Sequence, residues 1–198
     1  RWKVSMLDLL LINPGGRPRI YQSLATDLSA IETPVWAGLM ASYVRGKGFD
    51  VDILETNAAG LGPEAAAEEV ARRGARLNAV LVYGQQPSAS TQVMAPASEL
   101  CAAIKETSAK TPLILVGGHA AALPQRTLEE EKADFVAGGE GLHTLTALIE
   151  ALKSSSPRLD RVPSLWYRDA DGKAVQSMAP APLVSELDRE MPGVAWDL

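Results

Sequence analysis

Residues 113–119 read Leu113-Ile-Leu-Val-Gly-Gly-His119, an apolar run typical of a buried strand that ends in a pair of glycines. Residues 133–141 follow after a short helical segment and repeat the arrangement as Ala133-Asp-Phe-Val-Ala-Gly-Gly-Glu-Gly141. Because neighbouring parallel strands end at the same edge of a sheet, the two glycine pairs are predicted to leave bare backbone side by side along that edge. A large, flat ligand fits against such an edge.

Three further apolar runs precede these two strands and alternate with helical patterns. The predicted strands are 7–12, 49–54, 79–83, 113–116 and 134–137, and the predicted helices are 34–48, 63–76, 93–107, 125–131 and 142–152. This alternation indicates a parallel sheet covered on both faces. The predicted fold class is therefore α/β, a doubly wound, flavodoxin-like sheet of five parallel strands. Its first helix is predicted to have Thr33 as N-cap and Pro34 at the first helical position, with Trp36 on its apolar face.

The C-terminal part of the chain has a different pattern. Residues 154–157 read Ser-Ser-Ser-Pro, which is typical of a linker. Residues 164–167 and 173–177 flank the turn Asp169-Ala-Asp-Gly172, which predicts a small hairpin. The tail from Ala179 to Leu198 is predicted to be extended, so the predicted domains are residues 1–153 and residues 154–198.

Composition limits the function classes. The net charge of −5 and the pI of about 5.1 argue against a general nucleic-acid binder. The longest apolar run, Leu7 to Ile12, is too short to span a membrane, and the absence of a signal-peptide pattern favours the cytoplasm. The one cysteine, Cys101, excludes a disulfide framework and is predicted to be a small core residue. The chain begins at Arg1 rather than Met, which favours a segment of a longer protein.

The candidate site lies at the strand ends, because ligands of open α/β sheets bind beyond the carboxyl ends of the strands. His119 fits either a ligand contact or a hydrogen bond within its loop, and His143 is predicted to be a surface or capping residue. Glu140 is predicted to accept backbone N–H groups at the start of the last helix. The candidate ligand contacts are Asn13, Pro14, Tyr21, Tyr83, Gly84, Gln85, Ser88, Gly117, Gly118, His119, Gly138, Gly139, Glu140 and Gly141.

Several chemistries of similar folds are excluded. A phosphate-accepting receiver domain needs acidic residues after the first and third strands and a lysine after the fifth, where this chain has Asn13, Tyr83 and Ala137. The turn Gly15-Gly16-Arg17-Pro18 does not fit the dinucleotide pattern, and no Walker A sequence occurs. Two histidines are too few for a zinc site, and no serine lies in a nucleophile-elbow pattern.

Taken together, residues 7–152 resemble the cobalamin-binding domain that precedes the catalytic domain of cobalamin-dependent radical S-adenosylmethionine enzymes. The matching stretches are Thr33-Pro34 with its helix, Val116-Gly-Gly-His119 with Leu123-Pro124, and residues 133–141. The closing segment Met191 to Trp196 resembles the connector to the radical domain. The resemblance implies that a corrin lies across the carboxyl edge, with its nucleotide tail beside the strand that ends in Gly117-Gly118.

The resemblance also bears on the lower face of the cobalt. The better-known cobalamin folds supply an axial histidine from an Asp-x-His-x-x-Gly turn after the first strand, whereas this chain has no histidine before His119. The implied binding mode is therefore base-off without a histidine ligand. The long polar loop from Asn13 to Glu32 is expected to face the cobalt, with four candidates: Arg17, Arg19, Tyr21 and Gln22.

The family activity implied for the whole protein is methyl transfer from methylcobalamin to an unactivated atom of a small-molecule or peptide substrate. A C-terminal radical domain of the same chain would supply a [4Fe-4S] cluster and S-adenosylmethionine. The Cys-x-x-x-Cys-x-x-Cys motif of that domain is absent, so residues 1–198 alone are expected to bind and not to catalyse. The alternatives are a cobalamin-based sensor, which usually needs the axial histidine, and a flavin-binding or interaction module, for which residues 13–17 are a poor phosphate loop.

Overall fold

The computed structural model describes residues 6–24, 30–84, 89–178 and 180–198. These residues form one seven-stranded sheet with the order β2-β1-β3-β4-β5-β6-β7. The strands are β1 Leu9–Asn13, β2 Val51–Glu55, β3 Leu77–Val82, β4 Leu113–Gly117, β5 Phe135–Ala137, β6 Leu165–Arg168 and β7 Ala174–Gln176.

The first five strands are parallel and have the predicted flavodoxin-like order. Leu9 of β1 pairs with Val51 of β2 on one side and with Leu77 of β3 on the other. Every residue of β3 and β4 is buried, because helices cover both faces of the sheet. The α/β, doubly wound fold class is confirmed.

The predicted hairpin is confirmed, but the sheet does not stop at five strands. β6 pairs antiparallel with β5, and β7 pairs antiparallel with β6. The Asp169 carboxylate accepts the backbone N–H groups of Asp171 and Lys173, and Gly172 has φ +79°, which together close the turn. β6 pairs with the backbone N–H and C=O groups on the free side of β5, so the hairpin extends the central sheet. The division at residue 153 stays a prediction.

Helices pack on both faces of the sheet. In the described residues the helices are α1 Arg17–Tyr21, α2 Val35–Gly46, α3 Pro63–Arg73, α4 Ser90–Thr107, α5 Gly118–Ala122, α6 Pro124–Glu130, α7 Leu142–Ala151 and α8 Leu187–Glu190, and Leu159–Arg161 form a 3-10 turn. On one face of the sheet, α2 and α7 bury Met40, Tyr43 and Leu145 against the odd-numbered side chains of β1. On the other face, α3 and α4 bury Val70 and Leu100 against the even-numbered ones.

Three local predictions were wrong. The polar loop after β1 contains the short helix α1, which starts after Gly16 with φ +106°. α2 begins one residue later than predicted, with Pro34 at the N-cap and no capping side chain from Thr33. Trp36 does not belong to the buried face of α2, since its exposed fraction is 49%.

Two further predictions concern burial and membrane crossing. Cys101 is completely buried, as predicted for a core residue. In the part of the chain that the structure describes, no helix has the length and apolar character needed to cross a membrane.

Candidate functional site

A cavity of about 760 Å³, here called the main cavity, lies at the carboxyl edge of the sheet. It opens between β1 and β3, which are neighbours in the sheet and whose crossover helices, α2 and α4, pack on opposite faces. Such a change of direction is where open α/β sheets bind ligands. The cavity is lined by Asn13, Pro14, Gly15, Arg17, Ile20, Tyr21, Ala30, Glu32, Thr33, Pro34, Val35, Trp36, Ala37, Asn57, Leu81, Tyr83, Gly84, Ala89, Gln92 and Val93.

An aromatic pair forms one wall of this cavity. The rings of Trp36 and Tyr83 stack with their centroids 4.9 Å apart and an interplanar angle of 18°. The Tyr83 hydroxyl donates a long hydrogen bond of 3.5 Å to the carbonyl oxygen of Glu140. Burial, aided by the negative charge of Glu140, raises the pKa of Tyr83 to about 12. Tyr83 therefore stays a neutral donor near physiological pH.

The opposite wall carries amide side chains held in place by a carboxylate. Glu55 accepts a hydrogen bond of 2.6 Å from the Asn13 side chain and one of 3.3 Å from the Asn57 side chain. The Thr56 hydroxyl donates to the backbone carbonyl of Asn13 at 2.9 Å. The two asparagines thus come from the ends of adjacent strands and are oriented before any ligand arrives.

The structure separates the four candidates from the loop after β1. Arg17 and Tyr21 line the main cavity. Arg19 instead lines a second cavity of about 460 Å³ on the other side of α1 and lies 3.3 Å from the Glu99 carboxylate. Gln22 ends α1 with φ +50° and lines neither cavity. Of the four candidates, Arg17 and Tyr21 share the main cavity with Asn13 and Tyr83 at the ends of β1 and β3, and Arg17 also lines the second cavity.

The glycines at the ends of β4 and β5 differ in what surrounds them. A Cβ on Gly117 would lie 2.1 Å from the carbonyl oxygen of Val82, so this glycine serves the close approach of β4 to β3. Gly141 is similarly covered by Val116, with 2.4 Å to its Cγ1 atom. Of these three glycines, only Gly139 has the bare backbone that the sequence predicted, since no described atom lies within 4 Å of a Cβ built on it.

The remaining candidates at the ends of β4 and β5 also lie outside the main cavity. Gly118 is the first residue of α5. A Cβ built on Gly138 would lie 3.3 Å from the carbonyl oxygen of Ser164. Of the candidates after β3, Gly84 lines the cavity, whereas Gln85 and Ser88 lie outside the described residues.

Both histidines form hydrogen bonds within the fold. His119, in α5, has its Nδ1 3.1 Å from the hydroxyl of Thr91, so its partner is on the neighbouring helix α4 and not within its own loop. His143 is half-buried, with Nδ1 3.2 Å from the Tyr43 hydroxyl and its ring edge-on to that residue, so it is not a surface cap. Neither histidine lines the main cavity.

Glu140 has a different partner from the one predicted. Its Oε2 atom accepts the backbone N–H of Val184 at 3.1 Å, and no hydrogen bond joins it to the start of α7 in the described residues. The carboxylate therefore ties the end of β5 to the C-terminal segment.

The described residues contain neither a cluster of metal-ligating side chains nor a reactive thiol. No group of three or more histidine, cysteine, aspartate and glutamate side chains there is arranged to hold a metal ion. Burial raises the pKa of the Cys101 thiol, which keeps it protonated and unreactive.

Sequence reasoning missed Trp36, although a signal was present. Helical spacing assigns a residue to a face of the helix but does not say how far along the axis the sheet extends. Trp36 is in the first turn of α2, directly after Pro34, and this turn projects beyond the strand ends. An aromatic residue in the first turn of a helix that follows a strand end is therefore a candidate for the cavity.

Comparison with known proteins adds family information. A family model described as the B12 binding domain matches residues 22–149. The solved structure of the radical S-adenosylmethionine methyltransferase TsrM from Kitasatospora setae, with tryptophan substrate and an S-adenosylmethionine analogue bound, has a TM-score of 0.68 and 19% identity over 89% of this chain and 30% of its own. The cobalamin-dependent S-adenosylmethionine radical enzyme OxsB, with aqua-cobalamin bound, has a TM-score of 0.67 and 16% identity over 96% of this chain and 24% of its own.

These identities show a shared fold and no more. The chain spans 30% of TsrM and 24% of OxsB, so most of each of those proteins has no counterpart here. Comparison with curated protein sequences finds no significant match.

Proposed function

This chain belongs to the B12-binding domain family, whose model matches residues 22–149, and on that premise we propose that it binds cobalamin across the carboxyl edge of its sheet. The observation that carries the proposal is the cavity of about 760 Å³ between β1 and β3. This cavity lies at the change of chain direction where α/β sheets receive cofactors.

The lining of the cavity fits the chemistry of cobalamin. The cofactor combines flat, largely apolar rings with a periphery of amide side chains. Trp36 and Tyr83 offer an aromatic surface for a flat group, and the amides of Asn13, Asn57 and Gln92 can exchange hydrogen bonds with the peripheral amides. The cavity is also open to solvent along the sheet edge, so a ligand broader than the cavity can lie across it.

We further propose that cobalamin binds base-off and without a histidine ligand. Both histidines of the chain are already hydrogen-bonded, His119 with Thr91 and His143 with Tyr43, and both lie outside the cavity. Arg17 and Tyr21 of α1 line the cavity, and they are the residues proposed to face the lower side of the corrin.

In the whole protein, bound cobalamin would supply a methyl group for transfer. The residues of this chain would hold the cofactor, orient it and shield its lower side from water. A radical S-adenosylmethionine domain of the same polypeptide, with its [4Fe-4S] cluster, would act on a small-molecule or peptide substrate. The fold shared with TsrM and OxsB supports this role without establishing it.

The test is reconstitution of the purified chain with hydroxocobalamin, followed by gel filtration and absorbance spectroscopy. We expect a corrin that elutes with the protein in a 1:1 ratio and has a base-off spectrum. Free cobalamin with no corrin in the protein peak would contradict the proposal. A base-on spectrum would contradict the axial assignment alone, and selective retention of flavin mononucleotide would favour the flavin alternative.

A matched pair of variants locates the site. Trp36→Ala removes half of the aromatic wall and is expected to weaken cobalamin binding about tenfold, which corresponds to ~1.4 kcal/mol. Met178→Ala is the control, because Met178 is 92% exposed and does not line the cavity. Equal affinities of the two variants would exclude Trp36 from the site.

A further inference from the structure

The C-terminal segment 180–198, here called the strap, packs along the outer side of α2. Val184 is only 7% exposed, and Met191 and Ala195 pack against the core cluster that α2 and α7 share. The strap is thus attached by apolar contacts at three separate points along its length.

The first part of the strap is tied to the ligand edge. Ala181 N–H donates to the Ser164 hydroxyl at 2.8 Å, and Val184 N–H donates to the Glu140 carboxylate at 3.1 Å. The carbonyl oxygen of Glu140 is also the acceptor for the hydroxyl of Tyr83, which stands in the cavity wall. Glu140 therefore contacts the strap through its side chain and the cavity wall through its backbone.

The last part of the strap lies on the helix that carries Trp36. Ala195 N–H donates to the Gly38 carbonyl at 3.1 Å, and a Cβ at position 38 would be 2.2 Å from Val194 Cγ1. The strap thus touches the backbone of α2 two residues beyond the aromatic wall. Two ion pairs of 2.8 Å hold the strap to the end of α2: Lys47–Glu190 and Arg45–Asp197.

We propose that the strap and the cavity are coupled, so that a ligand bound against Trp36 and Tyr83 tightens the strap and the docked strap slows release of that ligand. The ligand orders the aromatic wall, and Glu140 and Gly38 transmit this order to the two ends of the strap. Because coupling between two binding events is reciprocal at equilibrium, the effect of the ligand on strap docking and the effect of the docked strap on ligand affinity have the same factor. The inference rests on the proposed function, since it takes cobalamin as the ligand.

The first measurement concerns the chain without ligand. Glu140→Ala removes the acceptor for Val184 N–H, and we expect amide hydrogen exchange in residues 181–187 to become about fivefold faster. Glu140→Gln keeps an acceptor oxygen and should restore most of the protection. Glu150→Ala is the control, because Glu150 is on α7 and pairs only with Lys153 in the described residues. Unchanged exchange in Glu140→Ala would overturn the role of Glu140 as the link.

The second measurement uses hydroxocobalamin. We expect loading to slow exchange in the strap severalfold, and Glu140→Ala to release the corrin severalfold faster than Glu140→Gln or Glu150→Ala. The coupling is wrong if loading leaves exchange in the strap unchanged and Glu140→Ala leaves the corrin release rate unchanged. In that case the proposed function stands. If the unaltered chain retains no corrin, the proposed function fails and the coupling fails with it, whereas the ligand-free role of Glu140 is decided by the first measurement.

Discussion

Replacing Gly117 by alanine is expected to lower the free energy of unfolding by about 4 kcal/mol. Gly117 has φ +147° and ψ 177°, a backbone conformation that residues with a side chain rarely adopt. It pairs with Val82 across the β3–β4 ladder, and the new Cβ would lie 2.1 Å from the carbonyl oxygen of Val82. Backbone strain at residue 117 and the forced separation of β3 and β4 therefore both destabilise the Gly117→Ala variant.

The magnitude follows from these two contributions. A non-glycine residue held in a sparsely populated region costs about 1–3 kcal/mol, and overpacking of a tight interior costs about 1–3 kcal/mol more. Because the contacting atom belongs to the backbone of a buried strand, it cannot move aside as a flexible side chain would. About 4 kcal/mol is a large fraction of the stability of an ordinary domain.

The assay is urea unfolding followed by far-UV circular dichroism. Gly46→Ala is the matched control, because Gly46 is the last residue of α2 and has no described atom within 4 Å of a Cβ. That variant should be neutral or stabilised by up to about 1 kcal/mol. A Gly117→Ala variant within about 0.5 kcal/mol of the unaltered chain, with an unchanged m value, would refute the close-approach explanation.

Three further predictions concern other parts of the fold. Cys101, completely buried and with a raised pKa, should react with a thiol reagent only after urea unfolding, and rapid labelling of the folded chain would contradict its burial. The hydrogen bond from Lys47 lowers the pKa of Glu190 below its ordinary value of 4.5, and the hydrogen bond from Arg45 lowers the pKa of Asp197 below 3.8. The stabilisation that these two pairs give to the docked strap is therefore present above pH 4.5 and is lost as the pH falls through the lowered pKa values. Exchange protection factors in the strap should therefore fall below pH 4 but not between pH 7 and 5. Asn78→Leu should stabilise the chain by about 1 kcal/mol, because Asn78 Oδ1 is buried without a hydrogen-bond partner in the described residues. The bond that is lost, from Asn78 Nδ2 to the Pro112 carbonyl, is long at 3.3 Å, and that carbonyl also accepts the Asn78 backbone N–H. Equilibrium unfolding that shows a loss above about 1 kcal/mol would contradict this prediction.

The strand pattern of the fold was predictable because burial on both faces produces apolar runs. Such runs at 113–116 and 134–137 correspond to β4 and β5, and the turn at residues 169–172 correctly predicted the hairpin. The extension of the sheet was not predictable in the same way. Pairing of β6 with β5 depends on backbone hydrogen bonds between segments about 30 residues apart, and these leave no periodic signal in side chains.

The candidate site was predictable in its location and less so in its members. The carboxyl ends of β1 and β3, with Asn13 and Tyr83, do line the main cavity. The ligand contacts predicted at Gly117 and Gly141 stay a prediction, and the structure shows in addition that each glycine accommodates a neighbouring part of the protein. A glycine after a strand marks a close approach of some kind, and only the packed structure shows whether a strand, a side chain or a ligand approaches it.

The hairpin also protects the sheet against intermolecular pairing. Without β6, the unpaired side of β5 would expose N–H and C=O groups beside an entirely buried apolar sequence, which is a template for another chain. The hairpin replaces that edge with β7, a strand of only three residues from Ala174 to Gln176. At the opposite edge, Asp52 of β2 carries a charge paired with Arg73 at 2.8 Å. A short strand on one side and a charged strand on the other are both features that discourage edge-to-edge aggregation.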